Sequence, residues 1–69
     1  MIMERSYLVT FGFGSKHSLQ YVVMKGKNKD DVYGRACMVY GFLDVAGVHL
    51  NTPDNLRNLQ QRNFKELKR

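Results

Sequence analysis

The chain has a single cysteine, Cys37, and no tryptophan. One thiol cannot build an internal disulfide framework or a cysteine-rich zinc site. His17 and His49 lie far apart, and neither has a ligand-type residue at helical spacing, so no metal is expected. Only six residues are Asp or Glu, and none forms a pair within a pocket-forming segment of the kind general acid–base work requires. Proline is limited to Pro53, and no repeat, linker or low-complexity stretch interrupts the chain. No apolar run approaches the roughly 18–20 residues of a membrane span, so no membrane contact is expected. The opening Met1-Ile2-Met3-Glu4-Arg5 has no apolar leader core, so a secretory signal is not expected either. These absences lead us to expect a cytoplasmic protein that is not an enzyme and carries no cofactor.

With 69 residues there is room for one domain, residues 1–69. A chain this short buries only about 60% of its unfolded surface. Small domains compensate with disulfides, metals or a partner chain. The first two lack residues here. Stability must come from packing of Phe11, Phe13, Phe42, Phe64 and the four tyrosines, or from a homodimer.

The residues present have the balance of a globular protein, 43% apolar against 25% charged, and not that of a disordered one. Formal net charge is +5, unevenly spread. Residues 1–29 carry Arg5, Lys16, Lys25, Lys27 and Lys29 against Glu4. The middle, 30–54, carries Arg35 against Asp30, Asp31, Asp44 and Asp54. The last stretch carries Arg57, Arg62, Lys65, Lys68 and Arg69 against Glu66. Two basic blocks around an acidic centre would attract nucleic acid or an acidic protein surface. The same charge also serves solubility alone.

Periodicity gives the order ββαβα. Tyr7–Phe13 is rich in aromatic and β-branched residues and reads as a strand, with Tyr7, Val9, Phe11 and Phe13 on its core face. Gly14-Ser15-Lys16-His17 is a turn, and Ser18–Lys25 a second strand completing an antiparallel hairpin. Asn28 is a good N-cap, with Asp30 and Asp31 suited to the helix dipole. Val32, Ala36, Val39 and Tyr40 follow helical spacing, and Gly41 ends the helix. Val45–Leu50, between Gly41 and Asn51-Thr52-Pro53, reads as a short third strand and not as more helix, with Gly47 as its weak point. Thr52-Pro53-Asp54 starts a helix expected to run to about Lys68. On it Leu56, Leu59, Phe64 and Leu67 share one face, while Arg57, Gln61, Arg62, Lys65, Lys68 and Arg69 share the other. The expected fold is α+β: a small antiparallel sheet covered on one face by a helix, followed by a basic amphipathic C-terminal helix.

Several segments carry a functional reading beside a plain one. Gly12-Phe13-Gly14-Ser15-Lys16 has the wrong spacing for a phosphate loop and is followed by a strand, so it reads as a turn. Lys25, Lys27 and Lys29 precede a helix N-terminus, where an anion could sit, although Asp30 and Asp31 already occupy that positive end. The basic face of the last helix could follow a phosphate backbone, with Tyr7, Phe11 or Phe13 stacking on bases. At this length those rings are needed in the core. Cys37 reads as a small buried hydrophobe.

Val9-Thr10-Phe11-Gly12-Phe13-Gly14, then Tyr21-Val22-Val23, a helix over Asp30–Tyr40, Gly41, a short apolar strand and a last helix form an arrangement that resembles a class of short bacteriophage reading frames. The shared pattern is "TFGFG", "YVV", a helix with an Ala-Arg pair, a closing glycine and a strand with aromatic residues. It covers roughly residues 7–50. Here the pair is reversed, Arg35-Ala36, and the third strand has no tryptophan or tyrosine. The resemblance implies a phage protein but no catalytic residues. It also implies binding to a host protein or complex and disabling it, as an anti-CRISPR or other anti-defence factor does. The expected partner has an acidic surface, and the expected contacts are Lys25, Lys27, Lys29, Arg57, Arg62 and Lys65. The alternative is a nucleic-acid-binding module using the same residues on phosphates. A structural or ligand-sequestering role stands behind both.

Overall fold

A computed structural model of the chain describes residues 3–67. The elements in order are β1 (Arg5–Phe11), β2 (Gln20–Gly26), α1 (Lys29–Tyr40), β3 (Val45–Leu50), α2 (Pro53–Gln61) and a two-residue β4 (Lys65–Glu66). They form an α+β fold around one four-stranded sheet, ordered β3-β1-β2-β4. β1 is antiparallel to both β2 and β3, whereas β4 runs parallel to β2. One end of the sheet holds the close of β1 and the starts of β2 and β3; Phe11 marks it. Gly26 marks the other end.

Local chemistry explains where the elements start and stop. The Asn28 side chain accepts the Asp31 N–H at 2.8 Å, filling one of the free donors of the first turn of α1. The Asp31 carboxylate accepts the Lys27 N–H at 3.0 Å and pairs with Arg35 at 3.1 Å. Gly41, at φ 103°, closes α1 by donating its N–H to the Cys37 carbonyl at 2.9 Å. Only a residue without a Cβ takes that conformation freely. Thr52 caps α2, its hydroxyl accepting the Asn55 N–H at 3.2 Å, and Pro53 occupies the first position, where its missing N–H costs nothing.

Strand alternation sends β1 side chains to both faces of the sheet, and both faces are covered. On one, Tyr7, Val9, Phe11, Val22 and Val45 pack with Val32 and Ala36 of α1. On the other, Leu8 and Tyr21 pack with Leu59 of α2, and Leu56 and Phe64 lie against them. The single covered face expected from β1 is therefore corrected: Leu8, on the supposed outer face, is fully buried.

The last helix is the largest difference. It ends at Gln61, not near Lys68. Asn63 takes a left-handed φ of 67°, a conformation asparagine tolerates better than most residues and one that stops a helix. The chain then runs beside β2. The Lys65 N–H reaches the Leu19 carbonyl at 3.0 Å, and the Leu67 N–H reaches the Tyr21 carbonyl at 2.7 Å. A continued helix would leave those edge carbonyls without partners. Phe64 still packs on the α2 side, whereas Leu67 crosses to the α1 side. Lys65 therefore does not share a helix face with Arg57 and Arg62. Lys68 and Arg69 lie outside the described residues.

Two expected core aromatics are corrected as well. Phe13 is 89% exposed and Phe42 69%, because each lies just beyond the element whose periodicity pointed inward. Phe11 and Phe64 do contribute to the packing.

Candidate functional site

Five of the six expected contact cations form two groups. Lys25, Lys27 and Lys29 lie at the Gly26 end, all exposed. Arg62, the C-cap of α2, and Lys65, opposite Gln20 in β4, lie at the Phe11 end. Arg57 is exposed on α2 between them. The length of β2 separates the two groups by about 20 Å at the usual rise per strand residue. They do not make one patch.

The lysine loop is braced from within. Arg35 donates to the Lys25 carbonyl at 2.7 Å and to Asp31 at 3.1 Å. That Asp31–Arg35 contact is the one ion pair among the described residues. None of the six cations is paired with a carboxylate there.

The Phe11 end carries what the charge pattern did not reveal. The loop 12–19 and the loop 41–44 are cross-braced by the Gly12 N–H donating to the Asp44 carbonyl at 3.0 Å. Beneath them the rings of Phe11, His17 and Tyr40 pack mutually, with centroids 5.1–5.6 Å apart. Phe13 in the first of these loops and Phe42 and Leu43 in the second are exposed, the last at 90%, and Met38 in the last turn of α1 is equally open. Large apolar groups left exposed at one end of a fold are candidates for a contact surface. A signal was available in the sequence. Phe13 stands between Gly12 and Gly14, and Phe42 follows Gly41, so each is anchored in turn backbone and not in an element.

A groove opens from this end along α2. Its first hollow, about 190 Å³, is lined on the apolar side by Phe13, Leu19, Leu59 and Phe64. A second hollow, about 140 Å³, is lined by His49, Asn55, Asn58, Leu59 and Arg62. His49, Leu59 and Arg62 border both. The Arg62 guanidinium lies 5.5 Å from the centre of the Phe64 ring. Leu19 has a left-handed φ of 61° and is exposed. A leucine held in that conformation is strained, and such strain concentrates at functional surfaces.

No group of three or more His, Cys, Asp or Glu converges on a metal-sized position among the described residues. No described helix is long and apolar enough to cross a membrane. The phenol of Tyr33 is held above its ordinary pKa, first by a hydrogen bond with Cys37 one turn on and then by the charge of that thiol when ionised. No protein-family model, curated protein or solved structure matches this chain. The resemblance to short phage reading frames therefore stands on the quoted residues alone.

Proposed function

We propose that the chain is a non-enzymatic binding protein that seats the Phe11 end of its sheet on a partner protein. The observation that carries this reading is the exposed set Phe13, Phe42 and Leu43 on two loops joined by a backbone bond, with Met38 in the last turn of α1 and Arg62 and Lys65 at the same end of the sheet. Leaving that much apolar surface in water gives up burial that a marginally stable small domain would otherwise use. The flanking cations have no carboxylate partner among the described residues, which suits a partner with an acidic rim. Joined to the phage resemblance, this makes the partner a host protein. The action is inhibition by occupancy, and an anti-CRISPR or other anti-defence factor is its concrete form.

The same end favours protein over nucleic acid. Phe13 and Phe64 beside Arg62 resemble a stacking platform, but Leu43 and Met38 have no flat face to offer a base. The three loop lysines that would follow a phosphate backbone lie at the far end.

The test is affinity recovery from nuclease-treated host lysate, with wild type beside the Phe42→Ser, Leu43→Ser double variant. The expected result is one protein retained by wild type and lost by a variant that keeps the wild-type melting temperature. Equal retention by both, or retention of nucleic acid alone without nuclease, overturns the proposal.

A further inference from the structure

The two edges of the sheet are finished differently. On the β2 edge the Leu19 and Tyr21 carbonyls accept the Lys65 and Leu67 N–H groups at 3.0 and 2.7 Å. The Lys25 carbonyl on the same edge accepts from Arg35 at 2.7 Å. β4 covers the first part of that edge and Arg35 caps the Lys25 carbonyl, while the Val23 N–H and carbonyl between them take no partner among the described residues.

Among the described residues, no strand pairs with the outer edge of β3. Its phase follows from two bonds: Asn51 N–H to the Ser6 carbonyl, and Gly12 N–H to the Asp44 carbonyl, both 3.0 Å. With Leu8 opposite His49 and Thr10 opposite Gly47, the backbone groups of Gly47 and His49 point at β1. Those of Val48 and Leu50 then point away from the sheet. The Leu50 carbonyl is already taken by the Thr52 N–H at 2.9 Å and the Asn55 amide at 2.8 Å. Among the described residues, the Val48 N–H, the Val48 carbonyl and the Leu50 N–H are left without a partner. Natural edges are usually guarded by lysine, proline or a bulge. β3 has no charged residue and no proline, and its guard is the bulge at Ala46, where the register slips.

We infer that β3 is a strand-addition site, and that its occupant is an extended segment of the partner protein with alternating apolar and acidic side chains. An added strand places alternate side chains on opposite faces. A residue beside Val48 or Leu50 lies on the α1 face, where Val48, Leu50 and Cys37 border the apolar cluster. A residue beside His49 lies on the α2 face, next to the hollow lined by Asn55, Asn58, Leu59 and Arg62. That lining holds a cation, two amides and an imidazole, and no carboxylate. A second copy of this chain would bring another His49 and another net charge of +5 to the same place. An acidic segment complements it instead. The inference rests on the protein-binding reading above and names the form of partner it takes.

The experiment follows amide hydrogen exchange by NMR in the full chain, with two probe peptides. One is acetyl-Val-Glu-Val-Glu-Val-Glu-Val-amide; the other has Lys in place of Glu. The acidic probe should protect the Val48 and Leu50 amides, and the basic probe should leave them unchanged. Arg62→Glu should weaken binding of the acidic probe by roughly tenfold. N-methylation of the Val48 amide, by chemical synthesis, removes one outward donor while keeping the Gly47 carbonyl that faces β1 an amide carbonyl, and it should weaken binding without moving the melting temperature. Equal protection by both probes, or by neither, overturns the inference. So does protection that rises with protein concentration alone, which would assign the edge to a second copy. If the Phe42→Ser, Leu43→Ser variant loses the host partner while these amides stay unprotected, the strand-addition inference falls and the binding function stands.

Discussion

α2 is attached to the sheet by little more than one side chain. Leu59 is its single buried residue and packs on Leu8 and Tyr21, with Leu56 and Phe64 at the margin. Leu59→Ala removes three carbons. At about 0.8 kcal/mol per buried carbon, the lost transfer energy is about 2.4 kcal/mol. The cavity penalty that raises such losses in closed cores is small here, because Leu59 borders both hollows of the open groove and water fills the space. The loss therefore falls on the docking of α2 and not on the whole fold. Native-state hydrogen exchange checks this. The amides of Leu56–Gln61 should lose about 50-fold in protection, since about 1.4 kcal/mol corresponds to tenfold. The amides of Leu8 and Val9, in the middle of the sheet, should change far less. Equal loss in both sets would mean that α2 and the sheet open as one unit, and the reasoning would fail.

Three further substitutions test the local arguments. A Cβ at Gly26 would lie 2.5 Å from the buried Val32 side chain and 2.7 Å from the Asp31 carboxylate, so Gly26→Ala should cost about 1–3 kcal/mol in urea denaturation. Asn28→Ala removes the cap of α1 and should cost about 1 kcal/mol in the same assay, whereas Asn28→Asp should cost almost nothing. Leu19→Gly relieves a left-handed leucine and should raise stability by about 1 kcal/mol, while weakening partner retention because Leu19 lines the groove.

The sequence carried the local signals well. Asn28 and Thr52 act as caps, Gly41 ends the first helix and Val45–Leu50 is a strand, because each depends on residues within a few positions. What spacing alone missed was set at longer range. Leu8 is buried because α2 returns across the second face, which the pattern of β1 cannot show. The helix past Gln61 satisfied its own apolar arc, yet Leu19 and Tyr21 had carbonyls to fill, and an extended strand from Lys65 fills them. The candidate site was legible only in part. Arg62 and Lys65 do lie beside the apolar end, but the three loop lysines belong to the opposite end, since charge counted along a chain does not give its position across a sheet. The exposed aromatics were read as core because an aromatic-rich small domain needs one. The glycines beside Phe13 and Phe42 marked them as turn residues.

Site-specific photo-crosslinking in host lysate bears most directly on the idea that the apolar end is where this protein makes contact. p-Benzoylphenylalanine would replace Phe42 in one sample and Asp30, exposed at the Gly26 end, in another. The account predicts a single protein adduct from position 42 and none from position 30. An adduct from position 30 alone, or from position 42 only to nucleic acid or to a second copy of the chain, would contradict it.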